Sequence, residues 1–397
     1  MRREELAPAV RKQLRRLPAP YDSHYGVLPL PPPEESVGLP PEILQQHARA
    51  IDAMARIDTL AAELKDPYLI SRILTRQEAV SSSAIEGTNS TLDELLAVEE
   101  TADGSASEAT IQVRDYATAL DGLLPRARAE HHSVFTEDLM ARLHRAVMAG
   151  DSAYADEPGV LRRNVVWIGG GRDIAYSIYN PTPPDGVAGA LTENIAYLRC
   201  AGMQSMTQSL ITRMAIGHAH FEAVHPFRDG NGRVGRLLLP LMMAAEDRTP
   251  LYLAPYIAAH KPQYMTTLKA AQQRLDWAEA VGFIARAITG TVDEVLATRA
   301  ALQALAGLWR KRRKFRAGSA AVNAIDLLPH YPVLTIPRLA ALLKVSFNAA
   351  GHAVEQLVGA GILASPEDRR YNRLFTAREA LSVINRPFGE APVLPER

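Results

Sequence analysis

From Pro41 to about Ser205, apolar residues recur mainly at three- and four-residue spacing, which predicts helices with few strands between them. The pattern breaks at Val165-Val-Trp-Ile168, then Gly169-Gly-Gly171, then a short run ending at Ile178-Tyr179. Two β-prone runs across a glycine-rich turn predict a hairpin, which Asn180-Pro-Thr-Pro-Pro184 ends. Leu210, Met214, Gly217 and Phe221 share one helical face, and Val234, Leu237, Leu238, Leu241 and Ala245 form a second stripe. Further helices are expected over 264–274 and 277–305. Residues 1–41, with Leu28-Pro-Leu-Pro-Pro-Pro33, read as an extended arm. No internal repeat is visible.

Between the two apolar stripes lies His225-Pro-Phe-Arg-Asp-Gly-Asn-Gly-Arg-Val-Gly-Arg236. Gly230, Asn231 and Gly232 fall where a loop gives way to a helix. Glycines let backbone approach an anion, and the free amides of a helix N-terminus point at it. Asp229 is a hard oxygen ligand suited to magnesium, which binds few protein groups and keeps substrate phosphates for the rest. Arg233 and Arg236, three apart, can reach one phosphate chain. His225 titrates near neutrality and can take a proton from an attacking hydroxyl. A base, a metal ligand, an anion cradle and two cationic clamps point to phosphoryl or nucleotidyl transfer. A calcium loop is excluded, because Arg233 and Val234 stand where an EF-hand needs other residues. His218, Glu222 and His225 share a helix face and His220 lies beside them, but His-Glu-x-x-His spacing is absent, so His218 and His220 read as supporting residues. No Walker A or kinase signature occurs.

That twelve-residue segment resembles the complete signature of the Fic family, and the likeness extends over roughly 41–300. The resemblance implies a mainly α fold: a Fic-type helical core with a small β-hairpin flap, followed by a C-terminal winged helix-turn-helix. It implies protein adenylyltransferase activity, with ATP as co-substrate and magnesium held by Asp229. His225 would be the base, and Asn231 with Gly230 and Gly232 would cradle the α-phosphate. Arg233 and Arg236 would hold the β- and γ-phosphates, with Val234 and Gly235 completing the nucleotide-binding segment. Pro226 and Phe227 would fix the loop. The hairpin with Ile178 and Tyr179 takes the place of the family's flap, where a target protein pairs by its main chain. His260 stands in the stretch that closes over the nucleotide, where members often carry asparagine.

Ser82-Ser-Ala-Ile-Glu86-Gly87 resembles the family's inhibitory motif. Ile70, Ile73, Leu74, Val80, Ala84 and Ile85 describe a helix that Gly87 ends, so Glu86 sits where the macrodipole disfavours an anion. The expected partner is Arg236. The chain accordingly divides into 1–110 (arm and inhibitory helix), 111–305 (catalytic core) and 317–385 (C-terminal module). A boundary falls at Trp309-Arg-Lys-Arg-Arg-Lys-Phe-Arg316. In the module, 336–343, 347–358 and the strand-like Leu374-Phe375 after Asp368-Arg-Arg-Tyr-Asn-Arg373 resemble a winged helix-turn-helix. The second helix, Phe347-Asn-Ala-Ala-Gly-His-Ala-Val-Glu-Gln356, bears no Arg or Lys, so duplex DNA and protein remain alternative partners.

Composition narrows the setting. The formal net charge is +0, so no global field draws the chain to nucleic acid or anionic lipid. Cys200 is the only cysteine, which excludes an internal disulfide and favours a reducing cytoplasmic setting. Met1-Arg-Arg-Glu-Glu-Leu lacks an apolar stretch behind it and reads as no secretory signal. The apolar stretch 237–245 is too short to span a bilayer. Removal of AMP from a modified protein, and DNA-binding regulation on a degenerate core, remain alternatives to AMP transfer. The partners expected are ATP, a target protein with a hydroxyl side chain or the chain itself, and a second copy in a homodimer.

Overall fold

A computed structural model describes residues 1–63, 72–101, 106–203, 207–365 and 373–395. Ile70, Ser205, Arg369 and Arg370 therefore lie outside the described residues. The sixteen α-helices described are α1 Pro8–Arg11, α2 Pro41–Glu63, α3 Arg72–Ile85, α4 Leu92–Thr101, α5 Glu108–Glu130, α6 Glu137–Met148, α7 Val187–Leu198, α8 Leu210–Val224, α9 Asn231–Ala245, α10 Ala254–Ala259, α11 Lys261–Arg274, α12 Trp277–Lys311, α13 Ala320–Leu327, α14 Ile336–Leu343, α15 Phe347–Gly359 and α16 Arg378–Ile384. The strands are few: β1 Leu14–Arg16 pairs antiparallel with β2 Tyr25–Val27, and β3 Val333–Leu334 pairs antiparallel with β4 Phe375–Thr376.

All fifteen residues of α8 are buried, so it forms the centre of the bundle. A helix enclosed on every side has no solvent face, so apolar residues extend beyond the stripe of Leu210, Met214, Gly217 and Phe221, and its buried Arg213, His218 and His220 are held by hydrogen bonds. Ser209 caps its start by accepting from the N–H of Thr212. Helix α9, equally enclosed, packs against it, and the loop between the two presents the twelve-residue signature. One apolar cluster runs from Ile43 through Leu305 and Trp309 to Ile384, so the core continues across the expected boundary after residue 305. The reason is α12. It continues to Lys311 with Trp309 buried, and Trp309 Nε1 donates to Glu379 Oε2 at 2.6 Å. Two cations of the basic run are also consumed, Arg312 by Glu379 and Arg310 by Asp326.

Two expectations about extended structure need correction. The arm is not merely extended: β1 and β2 form a hairpin within it, and a small second core gathers Leu6, Val10, Val27, Tyr179 and Ala223. The expected flap hairpin, by contrast, shrinks to one bridge between Ile168 and Tyr179. In that register Pro181, which has no N–H, stands opposite Val166, so the ladder cannot extend. Gly169, Gly170 and Gly171 all adopt positive φ, and a Cβ on Gly170 would lie 2.5 Å from the Tyr176 carbonyl carbon. Among the described residues, no helix is long and apolar enough to cross a membrane.

Candidate active site

Helix α8 ends at Val224, and His225 leaves it in the left-handed conformation, φ 50° and ψ 62°. The carbonyls freed there are gathered by a residue that the pattern along the chain did not suggest. The Arg162 guanidinium donates to His225 O at 2.6 Å, Val224 O at 3.2 Å, Thr182 O at 2.5 Å and Asn164 O at 3.0 Å. Among the described residues no carboxylate pairs with it, and burial lowers its pKa to about 10. Burial, with the Arg162 charge second, pushes His225 down to about 4. Its imidazole is therefore neutral and able to accept a proton at neutral pH. His225 Nδ1 is buried without a partner, 3.8 Å from Glu222 Oε2, and Glu222 Oε1 is unpartnered too. Burial pushes Glu222 up to about 8.

The rest of the loop is braced from both sides. Asn231 grips Phe227 twice, accepting its N–H at 2.8 Å and donating to its carbonyl at 2.8 Å. Its side chain thus shapes the cradle and is not left free to bind phosphate, as the signature alone had suggested. Phe227 stacks on His144 at 3.9 Å, and His144 Nε2 donates to Asp229 O at 3.0 Å. That tautomer follows because His144 Nδ1 accepts the Gly159 N–H at 2.7 Å. Asp229 is exposed, with one carboxylate oxygen accepting from the Gly230 N–H. Among the described residues no three His, Cys, Asp or Glu side chains gather to cage a metal. A lone exposed carboxylate fits magnesium, which shares substrate phosphates, better than a metal held by protein alone. Gly230 caps α9 at φ 74°, and the first-turn amides of 231–233 lack acceptors within the helix, forming an anion-binding end. Val234 lies buried at the start of the apolar stripe. A Cβ on Gly235 would stand 2.4 Å from Glu222 Oε1, so glycine is what admits that carboxyl between α8 and α9.

Neither arginine is free in this state. Arg233 donates to Val147 O at 2.9 Å and Gln112 Oε1 at 3.2 Å. Arg236, 1% exposed, donates from Nε to Ser82 Oγ at 2.8 Å and from Nη2 to Ser82 O at 2.9 Å and Glu86 Oε1 at 2.7 Å. Glu86 follows α3 directly. The helix is terminated by the Gly87 N–H bonded to Ala84 O and the Thr88 N–H bonded to Ser83 O, with Gly87 at φ 91°. Lys261 Nζ caps the same end through Ile85 O at 2.6 Å. A Cβ on Gly232 would lie 2.2 Å from Glu86 Oε1, so the carboxylate rests on the first turn of α9, where anions are favoured. Burial alone would raise the Glu86 pKa, but Arg236 outweighs it and holds the carboxyl below its usual range. Helix α3 is anchored on its other sides: Arg76 pairs with Glu99 and Asp121, and Glu78 accepts the Ala254 N–H at 2.8 Å.

The remaining expected residues fall elsewhere. His260 stacks on Tyr256 at 4.0 Å, faces Phe388 edge-on and shares its Nδ1 with Tyr256 O, so its ring is engaged in an aromatic cluster. Ile178 is half exposed, but its carbonyl accepts from Gln273 Nε2 at 2.9 Å. Tyr179 is buried in the small second core. His218 bonds Gly235 O and the Tyr264 hydroxyl, and His220 lies against Asn194; both are buried supports. A cavity of about 630 Å³ behind α3 is lined by Leu74, Val80, Thr291 and Phe388, away from the loop.

Comparison with known proteins agrees with this arrangement. The family model for the Fic/DOC family N-terminal region matches residues 44–122, and that for the Fic/DOC family matches 134–243. The chain is 33% identical over 124 residues to "Protein adenylyltransferase fic-1" of Caenorhabditis briggsae, covering 31% of this chain and 22% of that protein. It is 26% identical over 200 residues to "Probable protein adenylyltransferase aq_aa38" of Aquifex aeolicus, covering 50% and 56% respectively. The chain thus spans between about a fifth and just over half the length of these relatives. The fold resembles the crystal structure of a Fic family protein from Desulfovibrio desulfuricans G20, with TM-score 0.53 and 20% identity over 86% of this chain and 98% of that one. The signature loop and the helical bundle agree with both family matches, so the chain carries Fic/DOC family regions over residues 44–122 and 134–243.

Proposed function

We propose that the chain is a protein adenylyltransferase restrained by its own α3. The observation that carries this reading is the Glu86–Arg236 contact, set on the anion-binding end of α9 beside a neutral His225. His225 would take the proton of a Tyr, Ser or Thr hydroxyl. The oxygen then forms a bond to the α-phosphorus of ATP while the bond to the β-phosphate breaks and pyrophosphate leaves. Asp229 would hold magnesium, which when bound offsets phosphate charge. The amides of Asn231, Gly232 and Arg233 would receive the phosphates. With Arg236 taken by Glu86 and Ser82, its γ-phosphate contact is missing, which accounts for restraint. The names of the relatives support adenylyl transfer as the reaction class.

Incubation with ATP labelled at the α-phosphate tests the reading. Label should pass to protein, and His225→Ala should lower the rate by about 10²–10⁴-fold while nucleotide binding persists. Parent-rate labelling by that variant would refute the mechanism. Release of label from a premodified target, without transfer, would favour AMP removal with Glu86 orienting water.

For residues 317–385 the same proposal assigns protein contact. Helix α15 has no Arg or Lys and exposes Phe347 and Val358, whereas a duplex reader needs phosphate and base contacts there.

A further inference from the structure

Glu222 and His225 lie one turn apart at the end of α8, with Glu222 Oε2 3.8 Å from His225 Nδ1. His225 Nδ1 and Glu222 Oε1 are both buried without a hydrogen-bond partner. The His225 side chain is nevertheless 20% exposed, so Nε2 is the ring nitrogen left accessible. Glu222 itself is 5% exposed, and a carboxyl buried so deeply with a bare oxygen calls for a role. Its place is built into the signature, since only glycine at 235 leaves room for Oε1.

The other groups around this carboxyl are already engaged. His218 of α8 spends Nδ1 on Gly235 O and Nε2 on the Tyr264 hydroxyl of α11. Arg236 of α9 gives Nε and Nη2 to Ser82 and Glu86. Glu86, at the end of α3, offers no proton when ionised. His225 Nδ1 is thus the partner left for Glu222 among the described residues. Their separation exceeds a hydrogen bond, as contacts of a base often do before substrate is bound.

The protonation of Glu222 decides what the imidazole can do. A neutral carboxyl donates its O–H to Nδ1, which puts the ring proton on Nε2 and leaves nothing there to accept a proton. An ionised carboxylate accepts from Nδ1–H, and Nε2 is then free. Burial raises the Glu222 pKa to about 8, with Arg236 opposing the rise and Glu86 adding to it.

We propose that Glu222 is the positioning residue of the base: as a carboxylate it accepts His225 Nδ1–H, leaves Nε2 free and offsets the imidazolium formed during transfer. The inference rests on the AMP-transfer reading above and concerns how its base is held. In that step the target hydroxyl gives its proton to Nε2, and its oxygen bonds the α-phosphorus as pyrophosphate leaves. The Nδ1 proton stays on the ring, and Nε2 later returns its proton to water.

The test uses the full chain carrying Glu86→Gly, with and without Glu222→Gln. Single-turnover labelling should rise with pH along a limb at or below about pH 8. Glu222→Gln should flatten that limb and lower the rate on the order of 10²-fold, with ATP affinity kept within about twofold. A glutamate that only supported the fold would leave the limb in place. Nitrogen NMR of the histidine-labelled chain without ATP, with His225→Ala assigning the signal, reads the ring itself. As pH rises through the limb, the ring proton should move from Nε2 to Nδ1 while the ring stays uncharged, and Glu222→Gln should abolish the move. If Glu222→Gln does not fold, the move in the Glu86→Gly chain decides alone. A ring proton indifferent to pH, or a limb that Glu222→Gln leaves unchanged, overturns the proposal. Labelling with an indifferent ring leaves AMP transfer standing, and failure of labelling leaves the ring measurement intact.

Discussion

Replacing Glu86 by glycine should raise transfer, and the structure sets how far. Arg236 makes three hydrogen bonds to the end of α3, of which only the 2.7 Å contact to Glu86 joins two charges. A protected hydrogen bond to a charged group is worth about 1.5–3 kcal/mol, and an exposed ion pair about 0.2–1 kcal/mol. The Arg236 side chain is 1% exposed but that of Glu86 is 39% exposed, so the pair lies between these limits. Taking about 1–2 kcal/mol, and about 1.4 kcal/mol per tenfold, the gain is roughly five- to thirty-fold. It is bounded because both Ser82 contacts survive. Ser82→Ala alone should give a smaller gain, since its backbone carbonyl still accepts from Arg236. The assay is single-turnover labelling from α-labelled ATP, scored on the chain itself and on lysate proteins. Arg236→Ala combined with Glu86→Gly should stay inactive, which separates release of the arginine from mere removal of an acid. A Glu86→Gly chain with parent melting temperature and ATP affinity that labels no faster would refute the reasoning. A glutamate that only supported the fold would lose activity instead.

Stability should peak near pH 6.5 in a melting series. His144, His218, His220 and His225 are held near 4 by burial, below the free value of 6.5, so their contribution is complete above pH 6.5 and is lost as pH falls toward 4. Glu78 and Glu222, raised to about 7 and 8, oppose this as they are forced to ionise, so stability declines from pH 6.5 to 8; a monotonic rise through pH 8 would contradict the assignment. Arg162→Lys cannot span four carbonyls with one ammonium, and should lower kcat on the order of 10²-fold with nucleotide affinity little changed, because small misplacement of a base is costly. An unaltered kcat would reduce Arg162 to a fold support. Duplex DNA should show no salt-dependent binding even at low ionic strength; a steep salt slope would return nucleic acid as a partner of the C-terminal module.

The local chemistry was legible because it is contiguous. His225 to Arg236 places a base, a carboxylate and an anion-binding helix start within one loop, and the glycines that permit it are visible as residues. Helix α3 and its end were equally readable, since Gly87 and the apolar spacing act over a few positions. The expected Glu86–Arg236 partnership joined two such local motifs across 150 positions, and only the resemblance to the family made it visible.

Tertiary structure decided what each polar group does with its bonds. Asn231 reads as a phosphate ligand, but Phe227 occupies both ends of its side-chain amide and leaves only its backbone N–H for an anion. His260 reads as a nucleotide contact, and packing adds that its ring stacks on Tyr256 with Phe388 edge-on. Arg162 carries no motif, and its value arises because the end of α8 and both arms of the flap converge on one guanidinium. The flap was foreseen as a hairpin from β-prone runs, but its pairing depended on Pro181 standing opposite Val166, a matter of register. The arm was read as extended because proline dominates its composition, while its hairpin is held by Tyr179 and Ala223 from distant segments. Residue type and spacing thus determined the chemistry this chain can present. Which of those groups are left free was settled only by packing, because a hydrogen bond once formed inside a core is no longer available to a substrate.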